Sequence, residues 1–202
     1  RSFLGAAGAV GALAAGSGDA GAAVSAGAPR ITNIGGLSLD TVRTELRTEL
    51  FDIFLPLMDR AVIDREYGGF MCQAHPDETR VNTDKRTWYQ GRGVWIYSYL
   101  YRMIENNPDF LAVAKKGVEF ILRTMPPEDT FWAEWYTRDG KPIGGEDKVL
   151  YSDLFMSEGL QEYAAAAGDF SYFETARKIL FKMVRIYDTR PGYGAHPAIG
   201  DK

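Results

Sequence analysis

The sequence predicts an all-α fold in which about five helices form part of an α/α barrel, with one short β-hairpin between them. Apolar side chains recur at helical spacing over most of the chain after residue 38. Helices that are apolar on all sides alternate with helices that carry a single apolar stripe, as inner and outer barrel helices do. A helix pair containing Asp109-Phe110 recurs about 60 residues later with Asp169-Phe170, which indicates stacked helical hairpins. Five helices cannot close a barrel, so the predicted fold is incomplete.

The predicted helices begin and end at residues suited to those positions. Ser38 is a good N-cap, Pro56 is expected to kink or shorten the first helix, and Gly168 ends the fourth. Arg138-Asp139-Gly140 separates two extended segments and is a hairpin signal. The predicted helices cover residues 39–60, 87–105, 109–124, 151–167 and 170–187.

The helix over 87–105 carries the most informative side chains. Trp88, Arg92 and Trp95 share one helical face, and the opposite face is also apolar, which predicts that Arg92 is buried. A buried guanidinium needs an anionic or oxygen-rich partner. That partner is either a structural carboxylate or a ligand, and the residues alone do not choose between them. Gly91 and Gly93 cost helix stability, so another group is expected to approach the backbone there.

Composition excludes several function classes. An apolar content of 46%, a charged content of 25% and a net charge of −4 are typical of a soluble globular protein. The sequence has no basic patch of the kind that binds nucleic acid, so no nucleic-acid partner is predicted. Cys72 is the single cysteine, so there is no disulfide framework or cysteine-based zinc site. His75 and His196 lie far apart in loops without metal-ligand spacing. No cofactor and no metal are predicted.

Residues 1–30 differ from the rest of the chain. Arg1-Ser2-Phe3-Leu4 precedes a Gly/Ala-rich, weakly hydrophobic run that ends in small residues, and this run is too short for a membrane span. The pattern resembles the end of a twin-arginine export signal, with a disordered linker as the alternative. Residues 31–202 then form the barrel domain. The protein is predicted to be exported if the signal is real and cytoplasmic otherwise.

Four sequence segments resemble the N-acylglucosamine 2-epimerase family in the order that the family has them. The segments are Tyr67-Gly68-Gly69-Phe70, Asp84 to Trp95 with its Gln90-Gly91-Arg92 core, Trp135 to Pro142, and Tyr151-Ser152-Asp153-Leu154-Phe155. The resemblance covers most of residues 40–190.

The resemblance implies the N-terminal part of an (α/α)6 barrel that interconverts N-acylglucosamine and N-acylmannosamine, or a related aldose, at C2. It implies a small sugar substrate and, in many members, a homodimer. It assigns Arg92 a catalytic and substrate-binding role. It gives Tyr151 a substrate-binding role, with a helix-start aromatic as the alternative. Trp88 lies one turn before Arg92 on the same face and is expected to bind substrate by stacking on the sugar, with core packing as the alternative. The family's two catalytic histidines lie on later helices, so the 202-residue chain alone is expected to be inactive and poorly stable.

Three alternatives remain open at this stage. An aldose–ketose isomerase of the same family shares this half of the barrel. An (α/α)6 glycoside hydrolase would need paired carboxylates, for which Glu134 and Asp153 are the candidates. A non-catalytic interaction domain on the same scaffold is the third. Asp84 and Lys85 are expected to form a solvated surface pair.

Overall fold

The computed structural model of the chain describes residues 31–75 and 77–193. The predicted export segment, residues 1–30, and His196 lie outside the described residues. The chain divides into two units, residues 1–43 and 44–202. In the described part of the first unit, two short strands form an antiparallel pair before the first helix begins.

Helices dominate the described residues. The α-helices are α1 (Leu39–Thr48), α2 (Leu55–Ala61), α3 (Thr87–Tyr99), α4 (Pro108–Arg123), α5 (Tyr151–Ala167) and α6 (Ser171–Thr189). Two π-helical segments extend them, Glu49–Phe54 between α1 and α2 and Leu100–Ile104 after α3. The strands are β1 (Asn33–Ile34), β2 (Leu37–Ser38), β3 (Lys85–Arg86), β4 (Ala133–Tyr136) and β5 (Pro142–Glu146).

The first predicted helix is present and runs without a break through Pro56. Ser38 caps it, since its Oγ accepts a hydrogen bond from the backbone N–H of Thr41 at 3.1 Å. Leu55 donates its backbone N–H to the carbonyl of Leu50, a π-type bond directly before the proline. This wider turn changes the bonding register, so the missing N–H of Pro56 is accommodated without ending the helix.

The predicted repeat is observed as two helical hairpins, α3–α4 and α5–α6, with α3 packed along α5. The two halves differ in detail, because Phe110 is buried whereas Phe170 is 70% exposed. The predicted close approach at the glycines is confirmed. A Cβ at Gly91 would lie 2.1 Å from the carbonyl oxygen of Phe155, and one at Gly93 would lie 2.3 Å from the ring of Phe70. Glycine therefore lets α3 and α5 pack backbone to backbone.

The predicted hairpin is formed by β4 and β5, and a third strand that was not predicted joins it. β3 pairs antiparallel with β4, so that Lys85 lies opposite Tyr136 and Arg86 opposite Trp135. Two residues are too few to show the alternation by which a strand is recognised in a sequence. The strand leads directly into α3 and fixes where that helix begins.

The expectation that Lys85 forms a solvated pair with Asp84 is wrong. The side chains of Lys85 and Asp64 are both 0% exposed, and Lys85 Nζ lies 2.9 Å from Asp64 Oδ2. Lys85 also donates to the carbonyl oxygens of Gly68 and Arg138, both at 2.7 Å. Burial alone would raise the pKa of Asp64, but hydrogen bonds from Arg138 and Lys85 lower it to about 2. The network joins the loop before β3 to the hairpin.

None of the helices in the described ranges is long and apolar enough to cross a membrane.

Candidate functional site

The Gln-Gly-Arg segment fixes the N-terminal half of α3 against the glycine loop. The side chain of Gln90 is fully buried. Its Oε1 accepts the backbone N–H of Phe70 at 2.7 Å, and its Nε2 donates to the carbonyl oxygen of the same residue at 2.8 Å. Gly68 and Gly69 precede this bond with φ values of 75° and 79°, a conformation that favours glycine. Gln90 and Gly91 of the Gln-Gly-Arg segment therefore hold α3 against its neighbours, and Arg92 has no such role.

Arg92 lies on the open face of α3, so the prediction that it is buried is wrong. The helix is apolar on all sides, but this face has no covering element in the described residues, and Trp95 and Ile96 on it are 39% and 41% exposed. The guanidinium lies 5.3 Å from the ring centre of Phe155 and 5.9 Å from that of Trp88. Within residues 31–75 and 77–193 it forms no ion pair. The structural carboxylate that would neutralise it is therefore not found there.

The three predicted site residues lie in one cluster, linked by Phe155. The rings of Trp88 and Phe155 are 6.1 Å apart, and those of Phe155 and Tyr151 are 6.5 Å apart. Tyr151 is the first residue of α5 and is 42% exposed. Phe155 was not predicted as a site residue, although its position one turn after Tyr151 places both on the same helical face. The result is a half-open aromatic surface with one unneutralised cation.

Each of the two carboxylates considered for a hydrolase is paired with a basic side chain other than Arg92. Glu134 Oε1 lies 2.7 Å from Arg86 Nη2. Asp153 is buried, with its Oδ1 2.6 Å from Lys182 Nζ. Burial raises the pKa of Asp153 to about 6, although Lys182 opposes the shift. Neither carboxylate pairs with Arg92 within residues 31–75 and 77–193.

Other features of the described residues do not add to this cluster. A cavity of about 590 Å³ lies between Pro126-Pro127 and α6, and none of the predicted site residues lines it. His75 is exposed in a loop. No group of three or more His, Cys, Asp or Glu side chains in the described ranges could hold a metal ion.

A family model described as N-acylglucosamine 2-epimerase (GlcNAc 2-epimerase) matches residues 59–201. The chain belongs to this family. The chain is 34% identical over 125 residues to the N-acylglucosamine 2-epimerase of Bos taurus. It is 35% identical over 127 residues to the N-acylglucosamine 2-epimerase of Homo sapiens. Each match covers 60% of this chain and 29% of the relative, so the chain spans less than a third of the length of these relatives.

Solved structures of similar fold carry related descriptions. A sugar epimerase from a ruminal bacterium superposes with a TM-score of 0.63 and 24% identity, covering 71% of this chain and 37% of that one. The cellobiose 2-epimerase from Bacillus thermoamylovorans superposes with a TM-score of 0.62 and 20% identity, covering 75% and 38%. At this level of identity the likeness shows that this chain shares the fold of the matched part of each structure.

Proposed function

We propose that this chain is part of a sugar 2-epimerase that interconverts N-acylglucosamine and N-acylmannosamine, or a related aldose. The observation that carries the proposal is the unneutralised guanidinium of Arg92, which lies beside Trp88 and Phe155 on the open face of α3. An aromatic face binds the apolar face of a sugar ring, and a guanidinium binds its oxygens. Membership of the epimerase family supports this reading of the cluster.

Epimerisation at C2 gives Arg92 a specific task. After ring opening, one base removes the proton on C2, and a different proton is then delivered to the opposite face of C2. The enediolate formed between these steps carries negative charge on oxygen. A fixed cation aimed at that oxygen stabilises the transition states on either side of it. Trp88 would hold the sugar chain, and Tyr151 would contact it from α5.

The proton-transfer bases would come from helices beyond the residues described. We propose that α3 and α5 are inner helices of an (α/α)6 barrel and that α4 and α6 are outer ones. The burial pattern supports this assignment, since α4 and α6 each bury one side. Helices that complete the barrel would enclose the open face around Arg92, and two histidines there would serve as the bases.

Solvent deuterium exchange in the complete enzyme tests this function. Epimerisation in D₂O should place deuterium at C2 of the product sugar, which is read by proton NMR. Replacing Arg92 with Met should lower kcat by about 10²- to 10³-fold, the usual loss when one oxyanion-stabilising donor is removed. Arg92→Lys should recover part of this loss, because the charge is kept while the planar donor pair is lost.

Arg43→Met provides the matched control, because Arg43 is exposed and pairs only with Asp40 in the described residues. It should leave kcat unchanged. Turnover without deuterium at C2 contradicts proton-transfer epimerisation. Deuterium at C1 of a ketose product identifies an aldose–ketose isomerase instead.

A further inference from the structure

Trp88 has a second cationic neighbour whose surroundings differ from those of Arg92. The guanidinium of Arg86 lies 5.3 Å from the ring centre of Trp88 and 5.1 Å from that of Trp135. Its Nη2 also donates to Glu134 Oε1 at 2.7 Å. Arg86 therefore contacts two indole rings and is neutralised by a carboxylate, whereas Arg92 has no anionic partner in the described part of the chain.

The backbone determines which way Arg86 points. Successive side chains of a strand point to opposite faces, so Lys85 and Arg86 must diverge. Lys85 is fixed in the core by Asp64, and Arg86 is therefore directed to the other face. On that face its cross-strand neighbour is Trp135. The strand ends here and α3 begins, which places Trp88 two residues after Arg86.

We propose that Arg86, held by Glu134, is a positioning residue that fixes the indole plane of Trp88 for sugar binding. This proposal rests on the proposed function, because it assumes that Trp88 stacks on the substrate. A stacking surface binds best when its plane is fixed before the ligand arrives, since the ligand then does not have to order it. Arg86 packs on the ring beside it, and Glu134 keeps Arg86 from rotating away. The pair acts on affinity through Trp88 and takes no part in proton transfer.

A spectroscopic measurement on the complete enzyme, made without substrate, tests the positioning. The indole Nε1–H resonance of Trp88 is assigned by its disappearance in Trp88→Phe. Arg86→Met and Glu134→Gln should both shift this resonance, whereas Arg86→Lys should leave it close to its native position. Arg177→Met is the matched control, because Arg177 also pairs with a glutamate, Glu174 at 2.8 Å, and lies over an aromatic ring, that of Phe181 at 5.8 Å.

Kinetics of the complete enzyme test the consequence for binding. Arg86→Met should raise KM for the sugar by at least about fivefold while kcat stays within about twofold, because an interaction that acts on ground-state binding is lost. In a Trp88→Ala background, Arg86→Met should have no further effect on KM, since its route of action is gone.

Two results overturn the proposal. One is a Trp88 resonance that does not move in Arg86→Met or moves equally in Arg177→Met. The other is a KM effect of Arg86→Met that is undiminished in the Trp88→Ala background. A wild-type enzyme that places no deuterium at C2 refutes the proposed function separately, since the resonance measurement needs no turnover.

Discussion

Replacing Lys85 with Met should cost the protein about 3 kcal/mol of stability, at the lower end of the range for breaking a buried ion pair from one side. The ammonium group is fully buried and bonded to Asp64 and to two backbone carbonyls, those of Gly68 and Arg138. Methionine fills a similar volume, so the loss comes from the polar groups left without a partner. Arg138 still bonds Asp64 at 3.0 Å, which keeps the loss below the upper end of that range.

Urea unfolding followed by tryptophan fluorescence measures this loss as the difference in the free energy of unfolding. Lys141→Met is the matched control, because Lys141 is 79% exposed and its ion pair with Asp139 is also solvated. The control should change stability by less than about 1 kcal/mol. Equal losses in the two variants would refute the argument that burial makes the Lys85 pair important.

Three further predictions follow from packing and electrostatics. Gly91→Ala should destabilise the protein by about 1–3 kcal/mol, because its methyl group would meet the carbonyl of Phe155. Gly145→Ala is the control and should be nearly neutral in the same unfolding assay, because a Cβ there would have nothing within 4 Å. Similar losses of stability in the two variants would contradict this prediction. The folded-state pKa of Asp64 is about 2, below its usual value of 3.8, so its contribution of about 2 kcal/mol is present above pH 4 and lost as the pH falls towards 2. Urea titrations should therefore show a smaller difference in the free energy of unfolding between wild type and Asp64→Asn at pH 2.5 than at pH 5. An equal difference at the two pH values would contradict the lowered pKa of Asp64. Burial raises the pKa of the Cys72 thiol to about 11, so little of the reactive thiolate is present at pH 8. The folded protein should therefore react with a thiol reagent at pH 8 far more slowly than the urea-unfolded chain. Equal reaction rates would contradict this prediction.

The helices could be predicted from the sequence because their signals are local. Helical spacing of apolar residues, the Ser38 cap and the Gly168 stop all act within a few residues of one another. Gly91 and Gly93 also predicted a close approach, although only the structure shows that α5 and the ring of Phe70 are what approaches.

The polar network could not be predicted, because its members come together only in the folded chain. Lys85 and Asp64 are separated by 20 intervening residues of loop, and nothing local distinguishes a buried lysine from an exposed one. The error at Arg92 has a related cause. An all-apolar helix predicts burial on every side, but burial depends on neighbours supplied by other segments. The clustering of Trp88 and Tyr151 around Phe155 likewise depends on the packing of α3 along α5.

The side chain of Gln90 bonds Phe70 as a neighbouring strand would, since one amide accepts from the backbone N–H and donates to the backbone carbonyl of the same residue. A carboxylate at this position could accept the N–H but could not donate to the carbonyl. The loop and the helix can therefore separate only if both bonds break together. The glycine loop is therefore held against the N-terminal half of α3 in the folded chain, so ordering this loop would not draw on the binding energy of a ligand at Arg92.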